Sequence, residues 1–353
     1  MFPIQKIPSR TVLTHQGEYL WFGGTSYLGI PYNANFQQLI KVGLEQYGSN
    51  WGSSRNNTLQ LEIYNAVENF LSEFVKAPSA VTVSSGMLAG QMVINFLQNQ
   101  YPKGLFIHAP KVHPALWTAD YQANGSSFKD FINTINDQIS QTKAEVVTIL
   151  ADSVSSPHFE NYNFDWVQNL TANRIINLVI DDSHSLGVMN ENGKGVYSSV
   201  SHNANVNIIV VASLNKALGV PGGVIFGDSQ LIKSIKQSAF FSACSPIAPA
   251  YTYACASAAN IYQSALQVLR KNIAYFNKNL NAIIGLGNLK GHPAYCFDSE
   301  GLPAYLLSKN ILVPSFGYPN PTDKAVTRLV ISSLHNFNDL DLLIDSLNKF
   351  HHK

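Results

Sequence analysis

Three short apolar runs in this chain end on residues able to do chemistry. Ala80–Val83 leads into Ser84-Ser85-Gly86-Met87, and Ile175–Ile180 into Asp181-Asp182-Ser183-His184. Ile208–Ala212 leads into Ser213-Leu214-Asn215-Lys216, with Pro221-Gly222-Gly223 close behind. A Ser-Gly turn opening a helix offers free backbone N–H groups and a positive dipole end, a seat for a phosphate. An Asp closing a buried strand can keep a heteroaromatic nitrogen protonated, because opposite charges stabilise each other in low dielectric. A lysine at a neighbouring strand end can form a Schiff base with an aldehyde. Phosphate, ring nitrogen and aldehyde together describe pyridoxal 5′-phosphate (PLP), with the Asp partner keeping the ring an electron sink.

These groups act together only if their strands share one sheet, since ligands of open α/β sheets collect at the carboxyl ends of the strands. The pattern supplies such a sheet. Candidate strands are Ala80–Ser84, Leu105–His108, Val146–Leu150, Ile175–Ile180, Ile208–Ala212 and Val224–Phe226. They are continuously apolar rather than alternating, which suits parallel strands covered on both faces. Helical spacing is read over Leu59–Phe74, Gly86–Leu97 and Phe164–Leu170. An Ala- and Tyr-rich helix is expected from Ala250 through Ala282, and an amphipathic one over Asp339–Phe350. The expected fold is α/β, with a large domain of mostly parallel, doubly wound sheet over residues 52–245. Residues 246–353 form a smaller α+β domain, joined by an N-terminal segment, residues 1–51.

Composition narrows the partners. Of 353 residues, 46% are hydrophobic and 13% charged, with 23 Lys+Arg against 22 Asp+Glu. This length buries a large core without metals or disulfides, and the even charge balance argues against nucleic-acid binding. Three cysteines complete no disulfide framework and match no zinc spacing. The start, MFPIQKIPSR, lacks a secretory pattern, and no apolar stretch is long enough to span a bilayer. A soluble, reducing, cytoplasmic setting is expected, with part of the apolar surface covered by another subunit. No metal site is assigned, and the tail His351-His352-Lys353 is taken as frayed.

The residues also resemble a known family. DDSHSLGVMNENGKG (Asp181–Gly195) is similar to the DDAH-x-x-G-x-x-G-x-x-G-x-G motif of the α-oxoamine synthases, fold-type I PLP enzymes. SLNKALGVPGG (Ser213–Gly223) resembles their T-x-S-K-A-x-G-x-x-G-G lysine motif. TSYLGI (Thr25–Ile30) resembles N-D-Y-L-G-L, and YGSNWGSSR (Tyr47–Arg55) the glycine-rich segment after it. SSGMLAGQ (Ser84–Gln91) resembles S-S-G-x-x-A-N-x, and KVHPAL (Lys111–Leu116) the S-H-A-S histidine segment. Order and spacing hold from about Tyr27 to His335.

The resemblance implies roles position by position. Lys216 carries the Schiff base and then serves as base on the substrate Cα; Asp181 pairs with the pyridinium nitrogen. His184 hydrogen-bonds the ring hydroxyl oxygen, and His113 stacks on the ring's outer face. Gly86 and Met87, through their N–H groups, hold the phosphate with Ser213. Ser156, in ADSVSSP, lies near the ring or substrate. Arg328, seven residues before His335, clamps the amino-acid carboxylate. The implied reaction condenses an amino acid with an acyl-CoA and releases CO2, as in the 8-amino-7-oxononanoate synthases, in a homodimer with its site at the interface. Thr25 and the Gly52–Asn56 segment would serve the neighbouring subunit's site. Thr25 stands where the family has the Asn that reaches the substrate, and Val326 where it has a first arginine. Asn215 replaces a serine, Asp152 a glutamate and Gly90 an asparagine.

Blander readings stand beside these. Asp181 could cap a helix, His113 could be a satisfied imidazole, and Ser84-Ser85-Gly86 an ordinary tight turn. Arg328 could sit in a structural ion pair, and Ser156 in a Ser-Ser-Pro turn. An aminotransferase or lyase would use the same Lys, Asp and Arg. A non-catalytic regulator of this fold would have lost Lys216. A dinucleotide-dependent oxidoreductase would show G-x-G-x-x-G after the first strand, and none is there.

Overall fold

The computed structural model describes residues 2–123, 125–156, 162–170, 174–281, 286–297, 299–317 and 322–351. The chain divides into two compact units, Met1–Ala34 with Ser156–Glu160 and Asn260–Lys353, and Asn35–Ser155 with Asn161–Ala259. The boundaries read from sequence, 52 and 245, both lie inside the second, larger unit. Helices on either side of them are the reason. Gly43 of α1 (Ala34–Tyr47) runs so close to α7 (Pro249–Ala256) that a Cβ there would sit 2.7 Å from the Ala250 carbonyl oxygen. In α2 (Ile63–Val75), the Tyr64 hydroxyl donates to the Ile247 carbonyl at 2.9 Å.

The smaller unit opens with an antiparallel hairpin, β1 (Thr11–Thr14) and β2 (Gly17–Trp21). The larger unit then builds its sheet from β3 (Ser79–Val83), β4 (Leu105–His108), β5 (Val146–Asp152), β6 (Ile175–Asp181), β7 (Val206–Ser213) and β8 (Gly223–Gly227). Helices α3 (Gly86–Gln100), α4 (Phe128–Gln141), α5 (Ser229–Lys236) and α6 (Ala239–Ala243) complete it. The spatial order is β3-β8-β7-β6-β5-β4. Strands β4 to β7 pair in parallel, and β8 runs antiparallel to both its neighbours.

The continuous apolar runs are explained by burial on two faces. Leu150, Val179 and Ile209 share the face covered by Ala89, Met92, Val93 and Leu97 of α3. On the opposite face Ile149, Leu178 and Ile180 are equally buried. Each such side chain contributes roughly 1.5–3 kcal/mol when fully buried, so a register slip is strongly opposed. That register fixes which strand-end residues become neighbours at the site.

Three helix expectations are corrected. The Leu59–Phe74 pattern begins only at Ile63, and Leu59 is exposed. Phe164–Leu170 contains a 3-10 turn, Asp165–Asn169, whose bonds close over three residues, as from Val167 N–H to the Phe164 carbonyl. The Ala250–Ala282 helix is two, α7 and α8 (Ala259–Asn279). At the break Ala258 N–H tightens onto the Cys255 carbonyl, in a run without Gly or Pro to mark it. Ala282 lies outside the described residues, as do His352 and Lys353.

After α8 the smaller unit adds β9 (Leu286–Asn288), β10 (Ala294–Phe297), α9 (Leu302–Leu307), β11 (Ile311–Leu312), β12 (Ser315–Gly317), β13 (Ala325–Val330) and α10 (Phe337–His351). They form sheets of order β1-β2-β11 and β12-β13-β10-β9. No helix among the described residues is long and apolar enough to cross a membrane.

Candidate active site

Asp152 and Asp181 end adjacent parallel strands and are register partners, so both carboxyls project from the same face. Both are buried. Asp181 Oδ1 accepts the Ser183 N–H at 2.9 Å, and Oδ2 lies 3.6 Å from His113 Nδ1. Asp152 accepts the His113 backbone N–H with both oxygens at 3.1 Å. Burial, and then the Asp181 charge beside it, hold the Asp152 carboxyl well above the usual carboxylate range. A cation placed beside these two neighbouring carboxyls is favoured by the Coulombic attraction.

His113 is the third member. Its Nδ1 accepts the Ala115 N–H at 3.1 Å, which puts the proton of a neutral ring on Nε2. Burial pushes its pKa below the ordinary imidazole value, with the Asp181 charge opposing and the Lys216 charge adding. A neutral imidazole, 36% exposed, presents a flat face for stacking. Helix α3 secures the turn that carries it. Gln91 Nε2 donates to the Ala115 and Trp117 carbonyls, each at 3.1 Å. Gly90 explains its departure from the family asparagine, because a Cβ there would lie 2.3 Å from the Ala115 oxygen.

On the other side of Asp181, β7 ends at Ser213 and the chain turns through Lys216. The turn is closed by Leu214 N–H to the Gly222 carbonyl at 2.9 Å and Val220 N–H to the Leu214 carbonyl at 3.0 Å. Lys216 is half-buried there, and its charge is felt at both His113 and Asp152. Beside it the backbone of α3 begins. Ser85 caps the helix by accepting the Leu88 N–H at 3.1 Å. A Cβ on Gly86 would meet Ser213 Cβ at 2.6 Å, and one on Gly223 would meet the Ser85 oxygen at 2.2 Å. Glycines therefore let the helix start sit directly against Ser213. An anionic tail at that helix start, an aldehyde at Lys216 and a cationic ring nitrogen at Asp181 describe the same molecule the sequence suggested. PLP fits the residues present.

The glycine-rich loop behind Asp181 is folded onto itself by Asp182. Its Oδ2 accepts the Val196 N–H at 3.0 Å, and a Cβ on Gly195, at φ +69°, would lie 2.0 Å from that oxygen. Gly187 N–H donates to the Gly193 carbonyl at 2.7 Å. Burial raises the Asp182 carboxyl to about 7, against the opposing hydrogen bond from the Val196 N–H. His184, half-buried, sits in the first turn of this loop.

The larger unit thus brings together His113, Asp181, Lys216, Gly86 and Ser213. Met87 follows in the first turn of α3, with its side chain 48% exposed. Ser156, Thr25 and Arg328 belong to the smaller unit. Thr25 and Ser156 are half-buried, while Arg328 on β13 stacks its guanidinium 5.3 Å from the Phe316 ring centroid. His335 is buried, accepting the Ser332 N–H at Nδ1 (3.0 Å) and meeting the Trp21 carbonyl at Nε2 (3.0 Å). Arg55, in the Gly52–Asn56 segment, is held within the larger unit by buried Glu68 at 2.5 Å and lies over the Tyr64 ring at 4.5 Å. Sequence reasoning missed Asp182 and Gln91 as organisers and treated Asp152 only as a substitution. The signal that singled out Asp181, a carboxyl ending an apolar run, was equally present at Asp152. Among the described residues, no group of three or more His, Cys, Asp or Glu could hold a metal ion.

Comparison with known proteins agrees with this geometry. A sequence model of the aminotransferase class I and II family matches residues 28–347. The 8-amino-7-oxononanoate synthase of Thermosipho melanesiensis is 26% identical over 364 residues, covering 96% of this chain and 92% of that protein. The enzyme of the same name from Fervidobacterium nodosum is 24% identical over 368 residues, with the same coverage. Among solved structures, the Sphingomonas wittichii serine palmitoyltransferase superposes with a TM-score of 0.82 at 17% identity, over 99% of this chain and 91% of that one. The 8-amino-7-oxononanoate synthase from Francisella tularensis gives 0.70 at 19%, over 94% and 97%. These likenesses establish the fold as that of the fold-type I PLP-dependent transferases.

Proposed function

Because the chain belongs to the aminotransferase class I and II family, we propose that it is a PLP-dependent α-oxoamine synthase, similar in activity to the 8-amino-7-oxononanoate synthases. It would condense an amino acid with an acyl-CoA and release CO2. One observation carries the reading: Asp181, His113 and the Lys216 turn converge at the carboxyl edge of one sheet, beside a helix start opened by Gly86. When bound, PLP withdraws electron density from the Cα of an attached amino acid.

The chain's own groups then divide the work. Lys216 Nζ would hold the aldehyde carbon until the substrate amine displaces it, and the freed amine would then take the Cα proton. Asp181 keeps the ring nitrogen protonated, and the neutral His113 ring covers one face and shields it from water. The Gly86 and Met87 N–H groups with the Ser213 hydroxyl orient the phosphate, and His184 donates to the ring hydroxyl oxygen. Arg328 receives the substrate carboxylate as a planar bidentate donor, with Thr25 and Ser156 near the substrate. These last three rest on their motifs. A cytoplasmic homodimer is part of the same reading and rests on the family.

The test is an absorbance scan of the B6-reconstituted protein with paired amino acids and acyl-CoAs, following free thiol. Thiol release that requires both substrates supports the proposal. A half-reaction dependent on a 2-oxo acid, without thiol release, would replace it with transamination.

A further inference from the structure

Where the histidine motif of the α-oxoamine synthases has Ala, this chain has Ser183, and where their lysine motif has Thr, it has Ser213. The structure joins these two positions. The parallel ladder between β6 and β7 reaches its last main-chain bond at Asp182 N–H, which donates to the Val211 carbonyl at 2.8 Å. The next donor along β7, Ser213 N–H, meets no carbonyl there and donates to Ser183 Oγ at 2.8 Å. Ser183 N–H in turn donates to Asp181 Oδ1 at 2.9 Å. Ser213 Oγ then accepts the Asn215 N–H at 3.3 Å, immediately before Lys216. A single buried side chain therefore links the Asp181 carboxyl to the turn that carries Lys216.

We propose that Ser183 is a positioning residue that fixes the spacing between Asp181 and the Lys216 turn. Two physical points support it. A Thr at 213 would be stiff at χ1 through its branched Cβ, and Ser is not; what is held here is the Ser213 backbone, by the Ser183 hydroxyl. Ser213 has little room to shift, since Gly86 already packs against its Cα and Cβ, so a bond that holds its N–H also holds the neighbouring helix start. The inference rests on the reading of Lys216 and Asp181 given above.

Ser183→Ala and Ser183→Gly, both smaller than serine, remove the hydroxyl without crowding the site. In the full chain without B6, amide hydrogen exchange at Ser213 is expected to quicken at least roughly tenfold in both variants, while Asp182 keeps its protection. After reconstitution, the pH midpoint of the lysine-linked absorbance is expected to move by about half a pH unit or more, because the lysine no longer keeps its distance from the carboxylate. Unchanged exchange at Ser213 overturns the proposal. So does faster exchange with an unmoved midpoint, which would mark a merely structural bond. If the wild-type protein itself develops no B6-dependent absorbance, the assignment of Lys216 fails instead, and the exchange result distinguishes the two failures.

Discussion

Asp152 illustrates how a side chain can matter at the site without touching a ligand. Its carboxyl is held well above the usual carboxylate range by burial and by Asp181, and it serves as acceptor for the His113 N–H. A neutral amide of the same shape should do that work. Asp152→Asn is therefore expected to unfold in urea within about 1 kcal/mol of wild type, whereas Asp152→Ala, which strands the N–H, should cost roughly 1–3 kcal/mol. Equal losses in the two variants would show that the negative charge, not the acceptor, is what counts. The family glutamate would place its carboxyl one methylene farther from the strand than Asp152 does.

At the scale of elements, the decisive contacts are backbone against backbone. Helix α3 presses on the His113 turn at Gly90 and on β7 at Gly86. Gly90→Ala is expected to destabilise the protein by roughly 1–3 kcal/mol through forced displacement of that turn, and to weaken B6 retention measured by dialysis. Gly125→Ala, exposed and with open space around it, should stay within about 0.5 kcal/mol and provides the control. Removing the cap of α3 with Ser85→Ala should cost about 1 kcal/mol by thermal unfolding. The strands and the helix that build this arrangement were legible in sequence because burial on two faces leaves uninterrupted apolar runs, and β4 was placed to the residue. What escaped was anything decided by pairing. Asp152 becomes the neighbour of Asp181, and Ser183 the acceptor for Ser213, only once register is set, and no local pattern encodes register between distant strands. The α7–α8 break escaped for a different reason, since Ala-Ser-Ala-Ala is as compatible with a continuous helix as with a corner.

For the molecule as a whole, acid sensitivity has an identifiable source in the smaller unit. Burial lowers the His335 imidazole to about 4, and it stacks on Phe22 with centroids 4.1 Å apart. The unfolded chain takes up this proton near pH 6.5 and the folded one only near pH 4, so folding loses stability as pH falls through that interval. The loss amounts to about 3 kcal/mol. His335→Gln lacks it, so the stability gap between wild type and variant is expected to shrink by that order between pH 7 and pH 4.5, as read from urea unfolding. A gap independent of pH would mean that His335 titrates normally. The sheet order carries a further consequence. Among the described residues the first strand of the large unit, β3, pairs only with β8, so it has no native partner on the ribosome until residue 227 has been synthesised. The Gly86 helix start lies where β3 and β7 finish and β8 begins, so it is completed only after β8 has joined, and vitamin B6 would be captured there only by a polypeptide that has already closed its sheet.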